Sequence, residues 1–242
     1  DIASSLKAGI IVVADGSLSD AVSEARMAVS QYQNEGCLVA GVVFNKAPES
    51  FDIEAAGVLL GKTPIWGVVH ETIALRAPRV CDVAQYLGAE IVVPGDIETR
   101  RVRETVTAAR SVIGVIPRLN PGALIVTCGD RDDVILATAL AAGRGTELAG
   151  LLLTHSTSIS PEVMGLASSA LSKGLPILRI GGDSFHTALR ISQMPTAVPS
   201  DDVSRMNAVL DTVAEHLDNA VISSAFSVPA TNKLSPPAFR YQ

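Results

Sequence analysis

Aromatic side chains are scarce in this chain, with one Trp, three Tyr and five Phe among 242 residues. Base stacking needs such platforms, and a formal net charge of −6 supplies no basic stripe for a phosphate backbone, so no nucleic-acid partner is expected. Cysteine is equally sparse. Cys37, Cys81 and Cys128 are odd in number, widely separated and set in apolar surroundings, which suits neither a disulfide framework nor a zinc or dithiol site. A reducing cytoplasm fits this usage. His70, His155, His186 and His216 are scattered too, so no metal and no cofactor is expected. Long hydrophobic runs are also missing. CLVAGVVF (37–44) and ELAGLLLT (147–154) are strand-length, far short of the roughly 20 apolar residues of a membrane helix, and no membrane partner is expected. A start at Asp1 gives no basis for judging a targeting signal.

What is present is apolar and periodic. With 48% hydrophobic and 18% charged residues, the chain can bury a large core as one or two domains. β-branched runs alternate with helical patterns, the signature of an α/β fold with parallel sheets and crossover helices. Strands are expected at 9–14, 38–44, 65–69, 90–93, 123–127, 148–153 and 176–180. Helices are expected at 19–34, 52–60, 79–87, 97–109, 131–142, 160–173, 183–191 and 202–217. Ser19 with Glu24, and Ser160-Pro161 with Glu162, read as helix starts. DIASSLKAGIIVVAD reads as a helix end running into a buried strand, so the fold is expected to be entered midway. The organisation is then two αβ domains: a truncated first at 1–75 and a second at 76–220, meeting in RAPRVCDVAQYLGAE. A linker follows at 221–242.

Five features bear on possible chemistry. GVLLGKT, Gly57 to Thr63, ends like a phosphate loop, but its first glycine is one residue too close and the segment follows a helical pattern. Pro64 also disfavours helical geometry at Thr63, so ATP binding is not expected. An apolar strand followed by Gly-Asp occurs at Gly95-Asp96, Gly129-Asp130 and Gly182-Asp183. In a parallel sheet such loops share the carboxyl edge, where ligand crevices form, although each Asp also serves as a helix cap. Arg100, Arg101 and Arg103 have forked groups suited to carboxylate or phosphate, against a plain reading as a solvated helix face with Arg100 and Glu104 paired. Asn45 and Lys46 read as turn residues after a strand. A triad of Ser156, His155 and Asp130 can be drawn, but no nucleophile elbow frames the serine.

Several strings resemble one family. IIVVADGS (10–17) and GVVFNKAP (41–48) resemble the carboxy-terminal half of the P-loop-like, dethiobiotin-synthetase-like domain that opens long-form bacterial phosphate acetyltransferases. GDIETRRV (95–102) and TCGDRDDVILA (127–137) look like the DRTGG domain that follows it. Asp130, Arg131 and Thr154 stand at matching positions, while His155 and Ser156 replace the Gly-Gly pair that would follow the threonine. LSPPAFRYQ (234–242) resembles the junction into the acetyl-transferring domain, and its two prolines make a stiff connector. The resemblance implies a regulatory and assembly portion of an enzyme interconverting acetyl-CoA plus phosphate with acetyl phosphate plus CoA, itself non-catalytic. Implied partners are its own catalytic domain, further subunits of a homo-oligomer, and the effectors pyruvate and nicotinamide cofactor. Candidate effector-binding residues are Asp96, Arg100, Arg101, Asp130, Arg131 and Thr154; none is assigned to acetyl transfer. The alternatives are a stand-alone DRTGG-type metabolite sensor, or an ATP-dependent ligase of the dethiobiotin synthetase or cobyrinate amidase type, which would need a genuine phosphate loop.

Overall fold

The computed structural model describes residues 8–16, 20–156 and 158–226. Ser19 and the LSPPAFRYQ segment lie outside them. The fold is α/β with parallel sheets, and it divides into two compact units, one of residues up to 72 together with those from 200, the other Ile73–Pro199.

In the first unit, β1 (Gly9–Asp15), β2 (Leu38–Ala47) and β3 (Ile65–His70) form a three-stranded parallel sheet in that order. Helix α1 (Ala21–Asn34) presents Ala21, Ala25 and Val29 at helical spacing, and these small residues let it lie close on Val12, Val42 and Phe44. Phe51 tilts against Phe44 with ring centroids 4.7 Å apart. Helix α2 (Ile53–Leu60) is capped by Asp52, whose carboxylate accepts from the Ala55 N–H at 2.9 Å.

The second unit begins with α3 (Ile73–Arg76) and α4 (Val80–Leu87). Its sheet has the order β4-β8-β7-β6-β5, from β4 (Glu90–Val93), β5 (Glu104–Thr107), β6 (Ala123–Cys128), β7 (Gly150–Thr154) and β8 (Ile177–Arg179). Strands β5 to β8 are parallel; β4 runs antiparallel at the edge. The central strands are almost unbrokenly apolar because both faces are covered. Ile125, Leu151 and Leu153 face α6 (Asp132–Gly143), α7 (Pro161–Leu166) and α8 (Ser168–Leu171). Leu124, Val126, Leu152 and Leu178 face α4 and α9 (Ser184–Ser192). Truncating a fully buried residue such as Leu152 to Ala would cost about 2–5 kcal/mol through lost transfer energy and a cavity.

Four expectations are corrected. No helix spans 97–109: residues 96–100 close a turn in which the Asp96 carbonyl accepts from Thr99 and Arg100, and Glu104–Thr107 form β5. Thr105, Val106 and Thr107 are β-branched, and Val106 is buried in the sheet core. The helix expected at 160–173 is two pieces, α7 and α8, the first started by Ser160, whose hydroxyl accepts from Val163 N–H. The stretch read as linker from 221 begins inside α11 (Asn219–Phe226), whose start is held by the Asp218 carboxylate accepting from Ala220 and Val221. Helix α10 (Val203–His216), grouped by sequence with the second series, packs on β3 of the first unit, where Leu217 bridges Gly67 and Asp218 N–H donates to Trp66 C=O at 2.7 Å.

Candidate functional site: two edges of one sheet

Because β4 runs against the other strands, the Gly-Asp loops cannot converge. Gly129-Asp130 and Gly182-Asp183 leave the carboxyl ends of β6 and β8, whereas Gly95-Asp96 leaves β4 at the opposite edge. There the Asp96 N–H donates to Gly174 C=O at 2.8 Å, in the loop that feeds β8.

At this amino edge Arg100 is mostly buried and acts as a staple. Its guanidinium donates to the carbonyls of Leu148 and Lys173, just before β7 and β8, and pairs at 3.4 Å with Asp96. The expected pairing of Arg100 with Glu104 is therefore absent; Glu104 pairs with Arg118. Asp96, Arg100, Arg101 and Arg103 line a cavity of about 260 Å³ with Thr99 and Glu147. Arg103 lies along Gly122, whose φ of 82° and lack of Cβ allow the close approach. A larger cavity, about 360 Å³, is lined by Ile73, Pro78, Val102, Thr105, Ile191 and Met194 among others.

The carboxyl edge collects a different set. Cys128 and Thr154 end neighbouring strands in direct register. Thr154 is fully buried; its hydroxyl donates to Thr127 C=O at 3.2 Å and lies 2.8 Å from the Ser184 hydroxyl, at the start of α9. The His155 Nδ1 is 3.1 Å from Thr154 Oγ1 and 3.3 Å from Cys128 Sγ. His155 and Ser156 both take positive φ, 62° and 55°, fixed by N–H bonds to the carbonyls of Gly182 and Ile180. Glycine adopts this backbone without penalty, so both side chains are held in a conformation that costs them energy. Asp183 caps α9, accepting from His186 N–H at 2.9 Å. That bond, followed by the His186 side chain, holds its carboxyl below the usual carboxylate range.

Asp130 is exposed and does not cap α6, a correction to the sequence reading: the cap position falls on Arg131, with no side-chain cap bond. Arg131 turns its fork to Asp133 (2.9 and 3.0 Å) and to the carbonyls of Ala108 and Arg110 beyond β5. The Asp133 bonds raise the arginine's pKa and lower that of the carboxyl. The six candidate residues thus divide into Asp96, Arg100 and Arg101 at one edge and Asp130, Arg131 and Thr154 at the other. Sequence reasoning missed the grouping of Cys128, Thr154, His155 and Ser184. The signal for it lay in strand register, which pairs residues 26 apart. Among the described residues, no group of three or more His, Cys, Asp or Glu is placed to hold a metal ion, and no helix is long and apolar enough to cross a membrane.

Residues 82–194 match the DRTGG domain. All six candidate residues fall inside this DRTGG region. The chain is also similar to proteins described as phosphate acetyltransferase: 44% identical over 168 aligned positions to that of Pseudomonas putida, 38% over 237 to that of Deinococcus radiodurans and 34% over 255 to that of Nitrosomonas europaea. These alignments cover 69%, 93% and 100% of this chain but 24%, 34% and 36% of the relatives. The chain therefore spans between a quarter and about a third of the length of the relatives it matches. The CBS and DRTGG domains of the regulatory region of Clostridium perfringens pyrophosphatase, solved with the activator diadenosine tetraphosphate, align at a TM-score of 0.41 and 11% identity over 84% of this chain and 86% of theirs.

Proposed function

We propose that this chain is a regulatory and assembly portion of a phosphate acetyltransferase, without acetyl-transferring residues of its own. The observation that carries the reading is the match along the full chain to about a third of one such enzyme, with the DRTGG region inside it. The partners are then the enzyme's own catalytic domain and further subunits of a homo-oligomer, with cytoplasmic residence.

The arginine-lined cavity at the amino edge supports an acidic effector. A small carboxylate such as pyruvate fits about 260 Å³, and Arg101 and Arg103 bring cationic forks to its wall while Arg100 fixes the floor. The P-loop-like character proposed for residues 1–75 is supported by the three parallel strands of the first unit. Nicotinamide cofactor is a second candidate effector of the same enzyme.

Calorimetric titration of the purified chain with pyruvate tests this, paired with an assay for phosphate-dependent CoA release from acetyl-CoA. Binding without turnover is expected, with about tenfold weaker binding in Arg101→Ala, since a charged hydrogen bond contributes about 1.5–3 kcal/mol. Turnover by the pure chain would overturn the reading.

A further inference from the structure

We infer that Cys128 and His155 form a reactive thiol–imidazole pair at the carboxyl edge of the second sheet, a modification site for small-molecule disulfides. The inference is independent of the effector reading, because the pair lies at the edge opposite the arginine-lined cavity.

Four observations carry it. Cys128 Sγ and His155 Nδ1 are 3.3 Å apart, within reach for proton transfer between thiol and imidazole. The surrounding hydroxyls form a self-consistent chain in which Ser184 O–H donates to Thr154 Oγ1 and Thr154 O–H donates to Thr127 C=O. The His155 Nδ1 touches both this chain, at 3.1 Å from Thr154 Oγ1, and Cys128 Sγ, so the ring is held against the sulfur. His155 is exposed and Cys128 only half-buried, so a reagent can reach the sulfur. Finally, His155 and the next residue are held at positive φ, a strained backbone that glycine would relieve. The strain sets the ring over Cys128 at the mouth of β6 and β7.

In the exchange, His155 Nδ1 takes the Cys128 proton and the thiolate attacks one sulfur of the disulfide. The Cys128–sulfur bond forms as the disulfide bond breaks, and the departing thiolate takes the proton back from His155. One small thiol leaves and a mixed disulfide remains, with no further oxidant required. The other cysteines serve as internal references. Cys37 is buried, and burial, with Asp82 next, pushes the Cys81 thiol up to about 12.

The whole chain incubated with oxidised glutathione, digested and examined by mass spectrometry tests the proposal. The glutathionyl group is expected on the Cys128 peptide first, removable with dithiothreitol and absent in Cys128→Ser. His155→Gln should slow the exchange about tenfold, the scale set by losing a thiolate-stabilising partner. His155→Gly, which removes the ring while easing the backbone, should slow it equally, separating loss of the base from loss of the fold. Modification of Cys128 no faster than Cys37 or Cys81, or wild-type rates in both His155 variants, would overturn the assignment.

Discussion

Arg100 Nη2 donates to the backbone carbonyl of Lys173 at 2.6 Å, joining the turn after β4 to the loop before β8 across 73 residues of sequence. The same guanidinium holds the Leu148 carbonyl ahead of β7. Truncation would leave the carbonyl of buried Leu148 without this donor and release the exposed carbonyl of Lys173. Arg100→Ala is therefore expected to destabilise the second unit by about 2–3 kcal/mol. Arg100→Lys should recover only part, since one ammonium cannot match the fork's geometry. Denaturant melts of the three proteins check this; a shift under about 0.5 kcal/mol for Arg100→Ala would remove the staple role.

Arg131 does for the β5 end of the sheet what Arg100 does for β7 and β8. Loss of its bonds to Ala108 and Arg110 should speed amide exchange in residues 108–111 of Arg131→Ala, with a global cost of about 1 kcal/mol because the pair with Asp133 is solvated. Asp130→Ala, by contrast, removes no cap and is expected to stay within about 0.5 kcal/mol of wild type. A larger loss for Asp130 than for Arg131 would reverse this assignment.

Much of the fold was legible because its strands are apolar runs of strand length and its helices carry caps that sequence displays, such as Ser160 and Asp183. Among the described residues, seven of the eight strands fell near their expected places. The failures share a cause. ETVT is too short to announce a strand, and only burial against β6 and the helices shows why Val106 belongs there. The direction of β4 depends on pairing with β8, a partner nearly 90 residues away, and no local pattern encodes it. That one reversal separates Asp96 from Asp130 and Asp183. His155 was visible as a departure from Gly-Gly, but its closeness to Cys128 depends on the β6–β7 register.

Cys81 gives a pH dependence with a definite sign. Its thiol is pushed up to about 12 by burial first and Asp82 second, from an ordinary 9.0. Between those values the unfolded chain releases a proton that the folded chain keeps, so unfolding gains. The Cys81 contribution is fully present below about pH 9 and lost as pH rises toward 12. Denaturant midpoints of wild type should thus fall more steeply between those limits than midpoints of Cys81→Ala. Parallel curves would show that Cys81 ionises freely in the folded state.

Ser156 sits at φ 55°, where a Cβ crowds the neighbouring carbonyl. Ser156→Gly is expected to raise stability by about 0.5 kcal/mol, the relief of left-handed strain offset by glycine's greater chain entropy. Ser156→Val should lose more than about 1 kcal/mol, since a β-branched residue is poorly tolerated there. Thermal melts order the three proteins; Val matching wild type would mean that the turn relaxes freely.

The Gly-Lys-Thr string at 61–63 tests whether motif or context governs nucleotide binding. Helix α2 ends at Leu60, Gly61 turns the chain at φ 63°, and Pro64 leads into β3, so Lys62 follows a helix carboxyl end. That end presents carbonyls and the negative pole of the dipole, the opposite of a phosphate cradle. Lys62→Ala is accordingly expected to leave stability unchanged, and calorimetry should detect no ATP binding by either protein. Micromolar ATP affinity that disappears with Lys62 would overturn the argument and favour the ligase reading over a regulatory one.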